Sequence, residues 1–255
     1  MISILVTALI SAVLVVIPVW IGTRLGYRQR EKLGGQVDHS PIGSVVGAGL
    51  GLFAFILAFT FQMTTTRFDS RKDQLMAEVG SIRTTYMRAE LLKDSNRIPC
   101  RQLLKRYLDL RIKFIEGGIE YDRLIRRSTQ IQDSLWLQAV TLAQEDRSSE
   151  MYALFASSIN EMVDVYHKRI VIGLHYRLPP VIRWVLYFIA FFSMMLLGFQ
   201  FGISGKGNPA ITVVLALIFA AVIWLINALD DPTSKIVRIN HKQVYELQQE
   251  LEANP

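Results

Sequence analysis

Cysteine and the familiar catalytic motifs are what this sequence most plainly lacks. Cys100 is the single cysteine among 255 residues, so neither an intrachain disulfide nor a paired-cysteine metal site can form. The sequence contains no P-loop, no Gly-x-Ser-x-Gly and no His-Glu-x-x-His pattern. We therefore expect a protein that is not an enzyme, with no catalytic residue, no metal site and no cofactor.

Charge is missing from four long stretches of the chain, apart from Arg183 at the edge of one of them. The hydrophobic fraction of 51% and the mean hydropathy of +0.29 are too high for an ordinary soluble domain of this length. The four stretches are roughly 2–22, 42–63, 181–202 and 210–229, and each supplies the approximately 20 apolar residues that cross a bilayer as a helix. Because no water inside a bilayer can satisfy free backbone groups, each stretch is predicted to be a transmembrane helix. The first one lacks the basic start and the cleavage pattern of a secretion signal, so it is predicted to be retained.

Most of the charge lies between the second and third of these stretches, in residues 64–179. This region has few helix breakers, and it is predicted to be a helical cytosolic domain. Leu75, Val79, Ile82 and Tyr86 recur with helical spacing, which predicts that the second transmembrane helix continues unbroken to about residue 93.

Further helices are expected in the same domain. One should follow the potential capping residues 94–96, and others should begin around Ser128 and around Ser148. The predicted domains are thus residues 1–63, 64–179, 180–229 and a cytosolic tail, 230–255. Val244, Leu247 and Leu251 predict an amphipathic helix in that tail.

The orientation follows from the lysines and arginines near the membrane. Ten flank the side of the central domain and the tail, and five flank the other side. Since basic residues accumulate on the cytoplasmic side, the central domain and both termini are predicted to be cytoplasmic.

A four-residue repeat marks the second stretch. Gly43, Gly47 and Gly51 are followed at the same interval by Phe55 and Phe59. One interpretation is close helix packing, because small residues let helix backbones approach each other in lipid. The other is a pore lining, in which the glycines widen the mouth and the phenylalanine rings form an apolar constriction. A pore would require several copies of the chain.

Charged residues beyond this repeat also allow two interpretations. Since an unpaired buried charge is very costly, they could form an interhelical ion-pair network, for instance Glu78 or Glu161 with one of the arginines. Alternatively, the arginines could line a vestibule that concentrates anions. The candidates are Arg67, Asp69, Arg71, Glu78, Arg83, Arg88, Glu161 and Arg169, together with the turn Asp230, Asp231 and Pro232 after the last stretch.

Several of these residues resemble the bestrophin anion channels. The spacing of Phe55, Phe59 and Arg67, with Phe68 after the arginine, is similar to the second helix of that family. Gly51 departs from it, since bestrophins carry a bulkier neck residue there. Asp231-Pro232 stands where bestrophins have Asn-Pro. The acidic cluster that holds calcium in animal bestrophins is absent, so calcium gating is not expected.

The resemblance is closer to the bacterial bestrophin-like family of unassigned function, the DUF4239 group. Its signature blocks are similar to "GLFAFILAFTFQMTTTRFDSRKDQLMAEVGSIRTTYMRAELL", "INEMVDVYHKRIVIGLHYRLPP" and "LDDPTSKIVRINHKQVYELQQEL". The resemblance implies an all-α membrane protein of the bacterial inner membrane, with four transmembrane helices and a helical cytosolic domain between the second and third.

The same resemblance implies a function. It suggests a homo-oligomeric anion channel, a pentamer in bestrophins, whose partners are the lipid bilayer and small anions rather than nucleic acid. Phe55 and Phe59 would form the neck, Gly43, Gly47 and Gly51 the pore mouth or a packing face, and Arg67 and Arg71 a charged exit. The alternatives are a non-conducting scaffold or signalling partner, which docks another protein through its cytosolic helices, and a regulator without a continuous axial hole.

Overall fold

The computed structural model describes residues 2–33, 40–174, 177–205, 209–232, 237 and 239–253. All regular secondary structure in these residues is helical. The helices are α1 (Ile2–Lys32), α2 (Ser40–Arg88), α3 (Asp94–Ile115), α4 (Tyr121–Glu145), α5 (Glu150–Leu174), α6 (Pro180–Ser204), α7 (Pro209–Asp230) and α8 (Lys242–Ala253). A short 3-10 turn, Ala89–Leu91, follows α2.

Four of these helices are long and apolar enough to cross a membrane. The corresponding segments are Ala8–Lys32, Ile42–Leu91, Pro180–Ser204 and Thr212–Asp230. The predicted all-α class with four membrane helices is therefore confirmed. The main difference is in α1, which continues to Lys32 and so brings Gly26 into the helix.

Helix α2 is the longest element and runs through 49 residues without a break. It contains no proline after its first turn, and the side-chain hydroxyls of Thr60 and Thr64 donate to backbone carbonyls one turn earlier instead of interrupting it. The helix ends at Arg88, five residues before the predicted end. There the backbone tightens into the 3-10 turn and becomes extended at Leu92, with φ −89° and ψ 156°.

The chain forms two compact units. We call residues Met1–Asp69 with Tyr176–Arg238 the membrane unit, and residues Ser70–His175 with Ile239–Pro255 the helical unit. The C-terminal helix α8 is therefore part of the helical unit, where Val244, Leu247 and Leu251 are buried in the core.

Glycine controls the packing of α1 against α6 in the membrane unit. A Cβ added to Gly22 or Gly198 would overlap a backbone carbonyl of the opposite helix, that of Met195 or Val19. Gly26 and Gly202 continue both rows at the four-residue spacing, and each also meets opposing backbone. The two helices thus approach each other so closely that no side chain fits between them. The sequence reasoning missed this pair because it considered only the glycines of α2.

Large side chains fill the interior of the helical unit. Its core includes Tyr107, Leu135, Phe155 and Met162, which α3, α4 and α5 contribute. Cys100 is fully buried in the same core, although the surrounding stretch of sequence, 93–106, is rich in charged residues.

Two predicted helix starts in the helical unit are wrong. Helix α4 begins at Tyr121 rather than near Ser128, because the loop before it is short. Gly117, with φ +78°, follows the end of α3, and Glu120, with an extended backbone, is already the N-cap of α4. Ser128 is buried in the middle of this helix. At α3 the N-cap is Lys93, whose side chain makes no capping hydrogen bond, so residues 94–96 lie within the helix.

Candidate functional site

Helix α2 has a buried face and an exposed aromatic face within the membrane unit. Phe53, Leu57 and Thr60 are buried. Phe55 and Phe59 are 66% and 55% exposed. Since each residue turns a helix by about 100°, Phe55 lies about 200° around the axis from Phe53. The two predicted neck residues thus contact little within their own unit.

The predicted glycine row lies on the open side of the same helix. A Cβ added to Gly47 or Gly51 would meet no atom within 4 Å. At Gly43 it would lie 3.5 Å from the side-chain nitrogen of Gln200. These three glycines are therefore unlike those of α1 and α6, because no neighbouring backbone in the unit requires their small size.

The three predicted charged residues that follow the apolar part of α2 have different surroundings. In the membrane unit, the Arg67 guanidinium donates to the backbone carbonyl of Arg177 over 2.6 Å, and Asp69 is exposed. In the helical unit, Arg71 is buried.

Glu78 is the centre of a buried charge cluster in the helical unit. Only 2% of its side chain is exposed. One carboxylate oxygen is 2.9 Å from an Arg111 guanidinium nitrogen, and the other forms an ion pair with Arg169. Among the described residues, no other carboxylate lies within 4.0 Å of either guanidinium. The Glu78 carboxylate on α2 thus pairs with one arginine from α3 and one from α5.

Tyrosines and a glutamine extend this cluster. The Arg111 guanidinium donates over 2.8 Å to the hydroxyl of Tyr107, which also accepts from Gln132 over 3.3 Å. The same guanidinium carbon is 4.9 Å from the ring centre of Tyr107 and 4.7 Å from that of Tyr166. Such contacts with aromatic faces partly replace the lost hydration of the cation. We call Glu78, Tyr107, Arg111, Gln132, Tyr166 and Arg169 the buried polar cluster.

Sequence reasoning found two members of this cluster, Glu78 and Arg169, and proposed their pairing as one possibility. It missed Arg111, although a usable signal was present. Arg111 falls at the helical spacing of Leu104, Leu108 and Ile115, on the apolar face of its helix. An arginine at such a position needs a buried partner on a neighbouring helix.

The other predicted charged residues of the helical unit lie at its surface. Arg83 forms an ion pair with Glu250 at 2.8 Å, and both side chains are more than 40% exposed. The Arg88 guanidinium donates to the backbone carbonyl of Leu154 over 3.0 Å. Glu161 is exposed.

The turn after the last span contains a second buried carboxylate, now in the membrane unit. Asp230 accepts a hydrogen bond of 2.7 Å from the backbone N–H of Leu178 and one of 2.6 Å from the Arg183 guanidinium. It thereby connects the end of α7 to the segment that leads into α6. Asp231 and Pro232 follow and are half-buried.

Burial alters the acidity of several groups in the helical unit. It raises the pKa of the Cys100 thiol to about 11 and lowers the pKa of the Arg169 guanidinium to about 10. It also raises the pKa of the Tyr107 hydroxyl. Both the thiol and the hydroxyl are therefore neutral at neutral pH, and Arg169 is charged. Within the described part of the chain, no three histidine, cysteine or acidic side chains lie close enough together to hold a metal ion.

Known proteins resemble this chain over nearly its full length. Residues 9–243 match the family model described as the Bestrophin-like domain. The crystal structure of a bacterial Bestrophin homolog from Klebsiella pneumoniae, phased with zinc, superimposes with a TM-score of 0.68 at 16% identity, covering 98% of this chain and 97% of the homolog. A point mutant of that homolog gives a TM-score of 0.67 at 16% identity, covering 98% and 99%.

No curated protein matches the chain. The structural likeness at this identity establishes the fold, and the family model covers most of the sequence. The chain therefore belongs to the bestrophin-like family.

Proposed function

We propose that this protein is a homo-oligomeric anion channel of the bacterial inner membrane, in which copies of α2 surround a common axis. Characterised bestrophins are anion channels, and family membership transfers this function only as a hypothesis. The observation that carries the proposal is the exposed aromatic face of α2, formed by Phe55 and Phe59. In an assembly, these rings would form an apolar neck that conducts only when it is wetted.

The open glycines support the same arrangement. Because a Cβ added at Gly47 or Gly51 would meet nothing among the described residues of its own subunit, the room beside these glycines is available to another copy or to a pore. In the proposed channel they form the wide mouth that precedes the neck. Arg67 would contribute to the charged exit, and Arg71, which is buried within its own subunit, would act there only through its charge. Both termini and the helical unit would be cytoplasmic.

Chloride flux into liposomes tests conduction. We expect Phe55→Ala and Phe59→Ala to raise the flux, since a wider and less apolar neck is easier to wet. Phe188→Ala is the matched control, because Phe188 on α6 is also 63% exposed in the membrane unit. An increase with Phe188→Ala that equals the increase with Phe55→Ala would contradict a neck on α2.

Disulfide cross-linking tests the geometry without requiring conduction. Because Cys100 is buried and its thiol has a raised pKa, the native protein provides a weakly reactive background. We expect Phe55→Cys to cross-link neighbouring subunits under oxidation and Phe188→Cys to remain uncross-linked. The absence of dimers with Phe55→Cys, or a monomer in mild detergent, would refute the shared axis.

A non-conducting scaffold or signalling partner is the second candidate. It is favoured by an apolar surface on α4, where Trp136 and Leu137 are 44% and 64% exposed. Such a patch is suited to docking another protein. The absence of flux from every neck variant, with an intact oligomer, would support this candidate over the channel.

A further inference from the structure

The buried polar cluster has more positive than negative charge. Two guanidiniums, those of Arg111 and Arg169, share the single carboxylate of Glu78. The side chain of Arg111 is only 7% exposed, so water screens its charge poorly. Water reaches Arg169, whose side chain is 24% exposed, so the poorly hydrated part of the surplus positive charge is at Arg111, where an anion would balance it.

The same region contains three buried hydrogen-bond donors with no partner in the described chain. They are the Arg111 Nε–H and the hydroxyls of Ser128 and Tyr166. All three residues are more than nine-tenths buried. Buried polar groups in folded proteins nearly always have a hydrogen-bond partner, so three donors without one in the same region require an explanation.

Shared contacts bring these donors to one part of the helical unit. The Arg111 guanidinium stacks on the Tyr166 ring at 4.7 Å and, through the Tyr107 hydroxyl, is connected to Gln132 of α4. Ser128 precedes Gln132 by one helical turn and lies on the same buried face of α4. The three donors thus come from α3, α4 and α5 around the buried polar cluster.

We propose that the helical unit binds a small monovalent inorganic anion, of the size of chloride or bromide, between Arg111, Ser128 and Tyr166. Such an anion accepts hydrogen bonds from all three donors and neutralises the surplus guanidinium charge. A water molecule can bridge the same groups, because hydroxyls accept hydrogen bonds as well as donate them, but it supplies no negative charge to balance the guanidiniums. A cation is excluded by the donors and by the arginines. This site belongs to the helical unit alone, and its test does not depend on conduction.

Thermal unfolding of the full-length protein in detergent provides the test. Sodium chloride and sodium bromide are titrated against sodium gluconate at constant ionic strength, because gluconate is too large for a closed interior. Binding to the folded state alone should raise the midpoint by about 5 °C at saturating halide. Equal midpoints in halide and gluconate would overturn the proposal.

Removal of single hydroxyls separates an anion site from a merely unsatisfied cluster. Tyr166→Phe and Ser128→Ala preserve shape and should raise the half-saturating halide concentration about tenfold or more, since each removes a hydrogen bond to a charged acceptor. In a site without an anion, deleting an unsatisfied hydroxyl should stabilise the protein equally in both salts. That result would refute the proposal.

Two control variants change the same chemistry away from the cluster. Ser134→Ala is on α4, where its exposed hydroxyl already donates to the Gln130 carbonyl. Tyr152→Phe is on α5, where its exposed hydroxyl faces Glu145. Both control variants should keep the halide response of the native protein. If their half-saturating halide concentrations rose as much as those of Tyr166→Phe and Ser128→Ala, the proposed anion site would be overturned. An anomalous bromide peak between Arg111 and Tyr166 would locate the ion directly.

Discussion

The membrane unit and the helical unit solve the packing of helices in opposite ways. In the membrane unit, α1 and α6 approach each other through Gly22 and Gly198 until backbone meets backbone. In the helical unit, tyrosines and long charged side chains fill the space between helices, and an ion-pair cluster lies at the centre. The difference shows that the type of contact between helices depends on whether lipid or water surrounds the unit. Lipid provides no hydrophobic drive between helices, so van der Waals contact between backbones replaces it.

The largest expected effect comes from the central carboxylate of the helical unit. Glu78→Gln removes the carboxylate that pairs with both Arg111 and Arg169, and we expect a loss of about 3–5 kcal/mol in the free energy of unfolding. Glu250→Gln removes a carboxylate of the exposed pair with Arg83 and should cost less than about 1 kcal/mol. Denaturant unfolding of both variants checks this difference. Equal losses would mean that burial of the cluster has no energetic consequence.

Next in size is the effect of adding one methyl group to the membrane unit. In Gly198→Ala, the new Cβ overlaps the Val19 carbonyl, and the backbone must move apart at a cost of about 2–3 kcal/mol. Gly51→Ala meets no atom in its own unit and should preserve or slightly improve stability, since alanine favours helix. The measurement is the temperature at which each purified variant aggregates. Similar temperatures for the two variants would show that the close approach is not rigid.

Loss of the ion pair between Asp230 and Arg183 should lower the free energy of unfolding by an intermediate amount. Asp230→Asn loses the charge in two short hydrogen bonds, and we expect a cost of about 2 kcal/mol. Arg183→Gln should cost a similar amount, and the double variant should cost little more than either one. Additive losses in this double-mutant cycle would indicate that the two side chains act independently.

The smallest expected effect is a pH dependence in the helical core. Burial raises the pKa of Cys100 from 9.0 to about 11, so the folded state holds this proton more tightly than the unfolded state does. The resulting stability is fully present below about pH 9 and is lost as pH rises through 11. Cys100→Ala should remove this alkaline decline, and the difference between the two pH profiles isolates the thiol. Rapid alkylation of the native thiol at pH 8 would contradict its burial.

How much the sequence could predict depended on the range of the interactions. The apolar runs predicted all four membrane helices, because the length needed to cross a bilayer is a local property. The continuation of α2 was also predicted, from the helical spacing of Leu75 to Tyr86. The start of α4 was wrong, because a serine can either cap a helix or lie buried within one.

The candidate residues show the same limit. The spacing of Phe55 and Phe59 was visible in the sequence, and their exposure within one chain was not. The pairing of Glu78 with Arg169 was one of several possible pairings, and Arg111 was overlooked. The proposed roles in a neck and a charged exit remain predictions.

By itself, the sequence determined the class of this protein, four membrane helices with a helical unit, because hydrophobic length and periodicity act along neighbouring residues. Only the tertiary structure decided which glycines meet backbone and which face open space. It also decided which arginines share Glu78, because ion pairs and close packing join residues that are far apart in the chain.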